Sequence, residues 1–312
     1  MFRKVRRIVS RLAFDCYNVC FNRVRGYVLM LHRIGPQESE RLSAIDELRV
    51  SEGFLQTFID EKRDQFDFIS LDALYLRIKE NKYDGKPFIC FTFDDGFKDN
   101  LTVGLPFFER NNIPFAVFVT TGFIDRRPAF NFPFLLERII RTYDSLTVLG
   151  KHYLCQSQHE KNQVFRELKE ITLQLPYLSF EESFNTLFDG YLRDEFHEDI
   201  MMSWEDIRVL ASNPLCTIGS HTVSHCRLSS VPPEFLSHEL QDSRQRIEAI
   251  IDREVKYLSY PFGWLTDVND LVVVSAARAG YKMGFVSHGG GIRKRDRNML
   301  CVKREMLVSH DW

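Results

Sequence analysis

Two adjacent carboxylates, Asp94 and Asp95, close the apolar run FICFTFDDGF at residues 88–97. Neighbouring carboxylates repel, and burial makes each ionised group costlier still. A compensating charge is therefore expected close by. The stretch GSHTVSHCRLSS supplies two imidazoles, His221 and His225, four residues apart. On a helical turn that spacing puts both on one face, within reach of one ion. A catalytic divalent metal commonly takes two histidines and a carboxylate. One aspartate can then be the third ligand while its neighbour stays ionised as a base toward metal-bound water. Thr222 stands where a His-Glu-x-x-His metalloprotease carries its glutamate, so that mechanism is not available. Taken singly, each pair has a bland alternative: aspartates capping the next helix, and solvated histidines.

These residues must be positioned by a scaffold. Six short apolar runs have the composition of buried strands: 27–31, 88–93, 115–121, 216–220, 257–261 and 282–287. None alternates with polar residues, which suits a parallel sheet covered on both faces. Helical patterns lie between them. One opens at Ser51, one starts with Ser203 and Asp206 in a capping-box relation, and one runs through 229–252 with prolines in its first turn. Strands alternating with helices imply right-handed βαβ units and a parallel sheet or barrel. Residues 125–200 break the alternation and are expected to form a helical insertion. His32, the two aspartates, His221, Phe262-Gly263-Trp264 and His288 each follow a predicted strand. In parallel barrels the strands' C-terminal ends gather the catalytic groups.

The 312 residues fit one α/β barrel. A net charge of −2 provides no global basic field for nucleic acid. Seven cysteines, with no Cys-x-x-Cys pair, suggest reduced thiols and a cytoplasmic setting. Residues 1–26 are basic, with Arg11 and Asp15 interrupting the apolar stretch. That segment is a poor export signal and too broken to span a bilayer. It is expected to be a basic helix, covering the barrel end or lying on the inner face of an anionic membrane.

The motifs FTFDDG, SHTVSH and YPFG, in this order, resemble those of the polysaccharide deacetylase family, the NodB homology domain or carbohydrate esterase family four. The resemblance covers about residues 27–305. It implies a distorted (β/α)7 barrel, with the insertion as an addition, and removal of acetyl groups from amino sugars. Carried over by position, it implies Asp95, His221 and His225 as metal ligands and Asp94 as general base. Tyr260 and Phe262 would line the sugar groove, Trp264 would contact substrate, and the Tyr260 N–H would face the oxyanion. Many members orient the base with an arginine two residues before the proline of the third motif. Ser259 holds that place here, and Arg304 is the substitute expected from another strand end. No Leu-x-His supplies the general acid. The motif MLHRI resembles that of a subgroup with a histidine after the first strand, which implies His32 as acid, with His288 in reserve. Zinc is the expected ion, with cobalt, nickel, manganese or iron also suited to the ligand set. The expected partner is an acetylated glycan or lipid-linked sugar.

Rivals exist in other classes. Two histidines and a carboxylate also describe non-haem iron(II) oxygenases, but those need no second adjacent carboxylate. SHGGGI, at 287–292, resembles the oxyanion loop of lipases, yet the chain has no Gly-x-Ser-x-Gly nucleophile turn. A deformylase of a lipid-linked amino sugar would use the same chemistry. A non-catalytic glycan-binding relative would keep the fold without the turnover.

Overall fold

The computed structural model describes residues 23–36, 41–193 and 200–308. Seven strands form the barrel: β1 (Val24–Leu31), β2 (Phe88–Phe93), β3 (Phe115–Val119), β4 (Cys216–Ser220), β5 (Tyr257–Ser259), β6 (Met283–Gly289) and β7 (Val302–Met306). Each pairs in parallel with the next, and β1 pairs in parallel with both β2 and β7, so the ring closes. This is the expected (β/α)7 barrel. Short strands at 67–68 and 292–293 add to the outside of β2 and β1.

The period-two alternation of side chains sorts each strand into an inner and an outer row. Val28, Cys90, Phe118, Tyr257, Phe285 and Val302 form one buried cluster with Leu71, Leu74 and Ile78 of the helix Leu71–Glu80. Their strand neighbours Leu29, Phe91, Val117, Leu258 and Val286 belong to a second cluster shared with the other helices. Every residue of β2 is buried, which accounts for its unbroken apolar run. Thr92 and Asp94 continue the row of Cys90, and Arg304 continues that of Val302. Arg304 is thereby directed inward.

Helix caps follow the sequence where side chains alone decide them. Ser51 accepts from the Phe54 N–H, and Ser203 and Asp206 close a reciprocal capping box. The insertion is less uniform than its helical pattern suggests. Helices span Phe132–Thr142, Gln158–Thr172 and Phe180–Leu187, but a β-hairpin (Ser145–Val148 with Lys151–Leu154) intervenes. The hairpin turns at Leu149-Gly150, both with positive φ. Residues 1–22, most of the expected basic helix, lie outside the described residues, and Val24–Gly26 are already strand. Among the described residues no helix is long and apolar enough to cross a membrane.

Candidate metal centre and active site

The C-terminal ends of β2 and β4 bring the ligand candidates together. Asp95 Oδ1 lies 3.5 Å from His221 Nε2 and 3.5 Å from His225 Nε2. Both distances are too long for good hydrogen bonds. They match the spacing of ligand atoms at 2.0–2.2 Å from one tetrahedral ion, roughly 3.3–3.6 Å apart. Asp95 Oδ1 is buried and has no hydrogen-bond partner. Burial first, then the Asp94 charge, pushes the Asp95 carboxyl well above its ordinary range. Burial lowers His221, and burial with the nearby His221 and His32 lowers His225 further. Two neutral imidazoles and an orphaned carboxylate oxygen on one point are the donor set of a divalent cation, and the residues fit that group.

A carbonyl fixes the tautomer of one imidazole. His221 Nδ1 lies 2.7 Å from the Ser259 carbonyl, so its hydrogen points there and the Nε2 lone pair faces Asp95. The route from His221 to His225 differs from the helical turn that the spacing suggests. Residues 221–225 form an irregular turn in which Thr222 (φ +67°) and His225 (φ +55°) are left-handed. The loop after β3 grips this turn: the Thr121 and Gly122 N–H groups donate to the Thr222 and Val223 carbonyls at 3.1 and 2.8 Å. A Cβ on Gly122 would stand 2.5 Å from the Val223 oxygen, so only glycine permits that approach. Asp95 is also left-handed, at φ +77°. Non-glycine residues in this region cost about 1–3 kcal/mol each and persist where surroundings over-determine them.

Asp94 is held differently from its neighbour. Arg304 Nη1 and Nη2 donate to Asp94 Oδ1 and Oδ2 at 2.8 and 2.7 Å. Its remaining N–H groups reach Thr92 Oγ1 (3.2 Å), Ser259 Oγ (2.7 Å) and the Val286 carbonyl (3.4 Å), so all five donors are used. Ser259 Oγ in turn donates to Asp94 Oδ2 at 3.1 Å. Burial alone would raise the Asp94 carboxyl; the Arg304 and His221 charges, the Arg304 hydrogen bonds and His32 outweigh it and hold it well below the usual range. The small Ser259 side chain leaves the inner row open for a guanidinium arriving from β7. Thr92 and Ser259 are members of this site that residue types did not single out. Only the missing arginine at Ser259 pointed toward it.

His32 follows β1, with its carbonyl accepting from Asn100 Nδ2 at 2.9 Å. Its Nδ1 is buried without a hydrogen-bond partner. Burial drives its pKa down to about 4; Asp94 opposes this, while His221 and Arg304 add to it. The resting imidazole is therefore neutral at pH 7. Tyr260 departs from expectation. Its side chain is fully buried, with its hydroxyl donating to the Leu300 carbonyl at 3.0 Å. Its N–H donates to the Phe285 carbonyl at 3.1 Å, continuing the β5–β6 ladder. Neither group is available to substrate or an oxyanion. Phe262, left-handed at φ +60°, packs its ring 5.0 Å from that of His225, and its N–H donates to no described backbone carbonyl. Trp264 is 61% exposed and stacks on His288 with ring centroids 6.1 Å apart. Trp264, from the loop after β5, and His288, from β6, form an outer platform.

The sequence of residues 81–284 matches the family model for polysaccharide deacetylase. No curated protein sequence matches the chain significantly. Among solved structures, the fold is similar to the Streptococcus pyogenes deacetylase PplD in complex with acetate (TM-score 0.61, 17% identity, covering 92% of this chain and 94% of that one). It is also similar to IcaB from Ammonifex degensii (0.57, 15%, 92% and 93%) and to the BpsB deacetylase domain from Bordetella bronchiseptica (0.54, 16%, 90% and 95%). At such identities the structures speak to the fold alone. The family match spans the strand carrying the two aspartates and the turn carrying the two histidines, and by it this chain belongs to the polysaccharide deacetylase family.

Proposed function

We propose that the protein is a divalent-metal-dependent hydrolase that removes N-acetyl groups from an amino sugar of a glycan or glycolipid intermediate. One observation carries this: Asp94 is held ionised by Arg304 beside an orphaned Asp95 oxygen that two neutral imidazoles face. Asp95, His221 and His225 would hold the ion, which polarises an amide carbonyl and lowers the pKa of water at the site.

The chain's own groups divide the remaining work. Asp94 accepts the proton of the attacking water, its two oxygens kept in place by Arg304 and Ser259. The Tyr260 N–H is spent in the sheet, so it is not the donor to the developing oxyanion. His32 delivers a proton to the leaving amine; it must first be charged against its burial, which the adjacent Asp94 favours. Phe262 and Trp264 offer aromatic faces to the sugar. Zinc is the proposed ion.

The test is a screen of purified protein with added divalent ions against acetylated oligosaccharides and lipid-linked amino sugars, measuring acetate and formate separately. Acetate release that requires the ion and is lost in Asp94→Asn supports the assignment. Formate without acetate would make the enzyme a deformylase. Release of neither, from a protein that binds both ion and glycan, would make it a non-catalytic binder.

A further inference from the structure

The turn that carries His225 has two left-handed non-glycine residues, one of them the β-branched Thr222. Such a turn holds only if neighbours fix it. One buried carboxylate does much of this. Glu239 Oε2 accepts from the Val223 and Ser224 N–H groups, both at 3.0 Å. Its Oε1 accepts from Ser224 Oγ at 2.6 Å and from the Tyr177 hydroxyl at 2.8 Å. Glu239 is fully buried and belongs to the widened turn His238–Asp242 that leads into the helix Ser243–Ile251. Tyr177 comes from the insertion, in the short helix Tyr177–Ser179. Its ring packs 6.0 Å from that of Phe235. Tyr177, Glu239, Ser224 and His225 all line one cavity of about 840 Å³, which the insertion walls on one side with Leu175 and Phe180. A cavity of this size suits a small organic ligand or a few sugar rings.

We propose that Tyr177 and Glu239 are positioning residues of the metal centre: the insertion steadies the turn carrying His225 through them, from the wall of the cavity that opens on that ligand. The inference rests on the metal-dependent function above. It gives the insertion a part in the site that its helical pattern did not reveal. The clamped amides belong to the two residues immediately before His225, so loss of the clamp lets the His225 imidazole drift from Asp95. Outer-shell partners of this kind typically change metal affinity by about 10–100-fold.

The experiment is a zinc titration of the full chain in competition with a chromophoric chelator, paired with melting of the metal-free protein. Glu239→Gln replaces one acceptor oxygen by an amide NH2, a donor facing donors, and zinc affinity is expected to fall at least about tenfold. Tyr177→Phe removes one hydroxyl at the cavity wall and is expected to weaken zinc severalfold with little change in melting. Tyr153→Phe, which removes a hydroxyl bonded to Glu167 elsewhere in the insertion, is the control and leaves affinity unchanged. If Glu239→Gln does not fold, Tyr177→Phe decides. Lowered melting with wild-type zinc affinity would mean a purely structural role and overturn the inference. A wild-type protein that binds no divalent ion would overturn the proposed function and this inference together.

Discussion

Replacing Arg304 by methionine tests the charge logic of the site most directly. Methionine keeps much of the stem's volume and removes all five donors. The pair it breaks is buried on both sides, with side-chain exposures of 0% and 3%. Two charge-assisted bonds at 2.7 and 2.8 Å are lost, and Asp94 is left charged and desolvated. Stranding one partner of such a pair costs about 3–5 kcal/mol. Asp94→Asn/Arg304→Met removes both charges, and its loss should be much smaller than the sum of the two single losses. Denaturant unfolding of the metal-free wild type, both single variants and the double variant completes a thermodynamic cycle. The sign of the pH dependence follows from the depressed Asp94 carboxyl. Its contribution is full above the unfolded carboxylate pKa of about 3.9 and fades as pH falls through the lower folded value. The gap between wild type and Arg304→Met should therefore be open at pH 7 and close on strong acidification. A loss below about 1 kcal/mol at pH 7, or a coupling energy near zero, would refute the view that Arg304 keeps Asp94 ionised.

Other expectations concern the ion, the base and the outer platform. Binding of a divalent cation should release protons and tighten as pH rises, because burial and the Asp94 charge push the Asp95 carboxyl upward in the metal-free site; calorimetry in buffers of different ionisation enthalpy reads the proton count, and no release would contradict the assignment of Asp95. Asp94→Asn should lower turnover by about 10²–10⁴-fold while zinc content, measured by mass spectrometry, stays at wild-type level. His221→Ala should lose ion and activity together. Trp264→Ala should raise KM for an acetylated oligosaccharide roughly two- to tenfold, the worth of one aromatic contact of about 0.5–1.5 kcal/mol, with kcat and metal content unchanged.

The legible parts of this molecule were those written locally. The apolar strand runs, the Ser51 and Ser203 caps and the aspartate and histidine motifs each depend on a few neighbouring residues. The barrel's closing strand was not among the apolar runs, because VKREM has none of their continuity; only the family resemblance led to Arg304 at a strand end. Its arginine faces inward for the sake of a carboxylate 210 residues earlier in the chain, a reason no local pattern contains. Tyr260 misled in the opposite way. Its motif suggested a groove residue, whereas strand pairing with β6 claims its N–H and the core claims its ring. The His-x-x-x-His spacing suggested a helical face, but a pair of left-handed residues reaches the same convergence by another path. The hairpin inside the insertion hid in a sequence whose flanks are strongly helical.

The closing position of β7 bears on biosynthesis. During vectorial synthesis β2 leaves the ribosome long before residues 302–306 exist, so a nascent chain carries Asp94 without its guanidinium. Contacts this distant in sequence form late and slowly. A nascent barrel of six strands keeps an open seam between β1 and β6 and a carboxylate with no counter-charge. Docking of β7 shuts the seam and neutralises that carboxylate in one event, so the proposed base gains its counter-charge only with that strand.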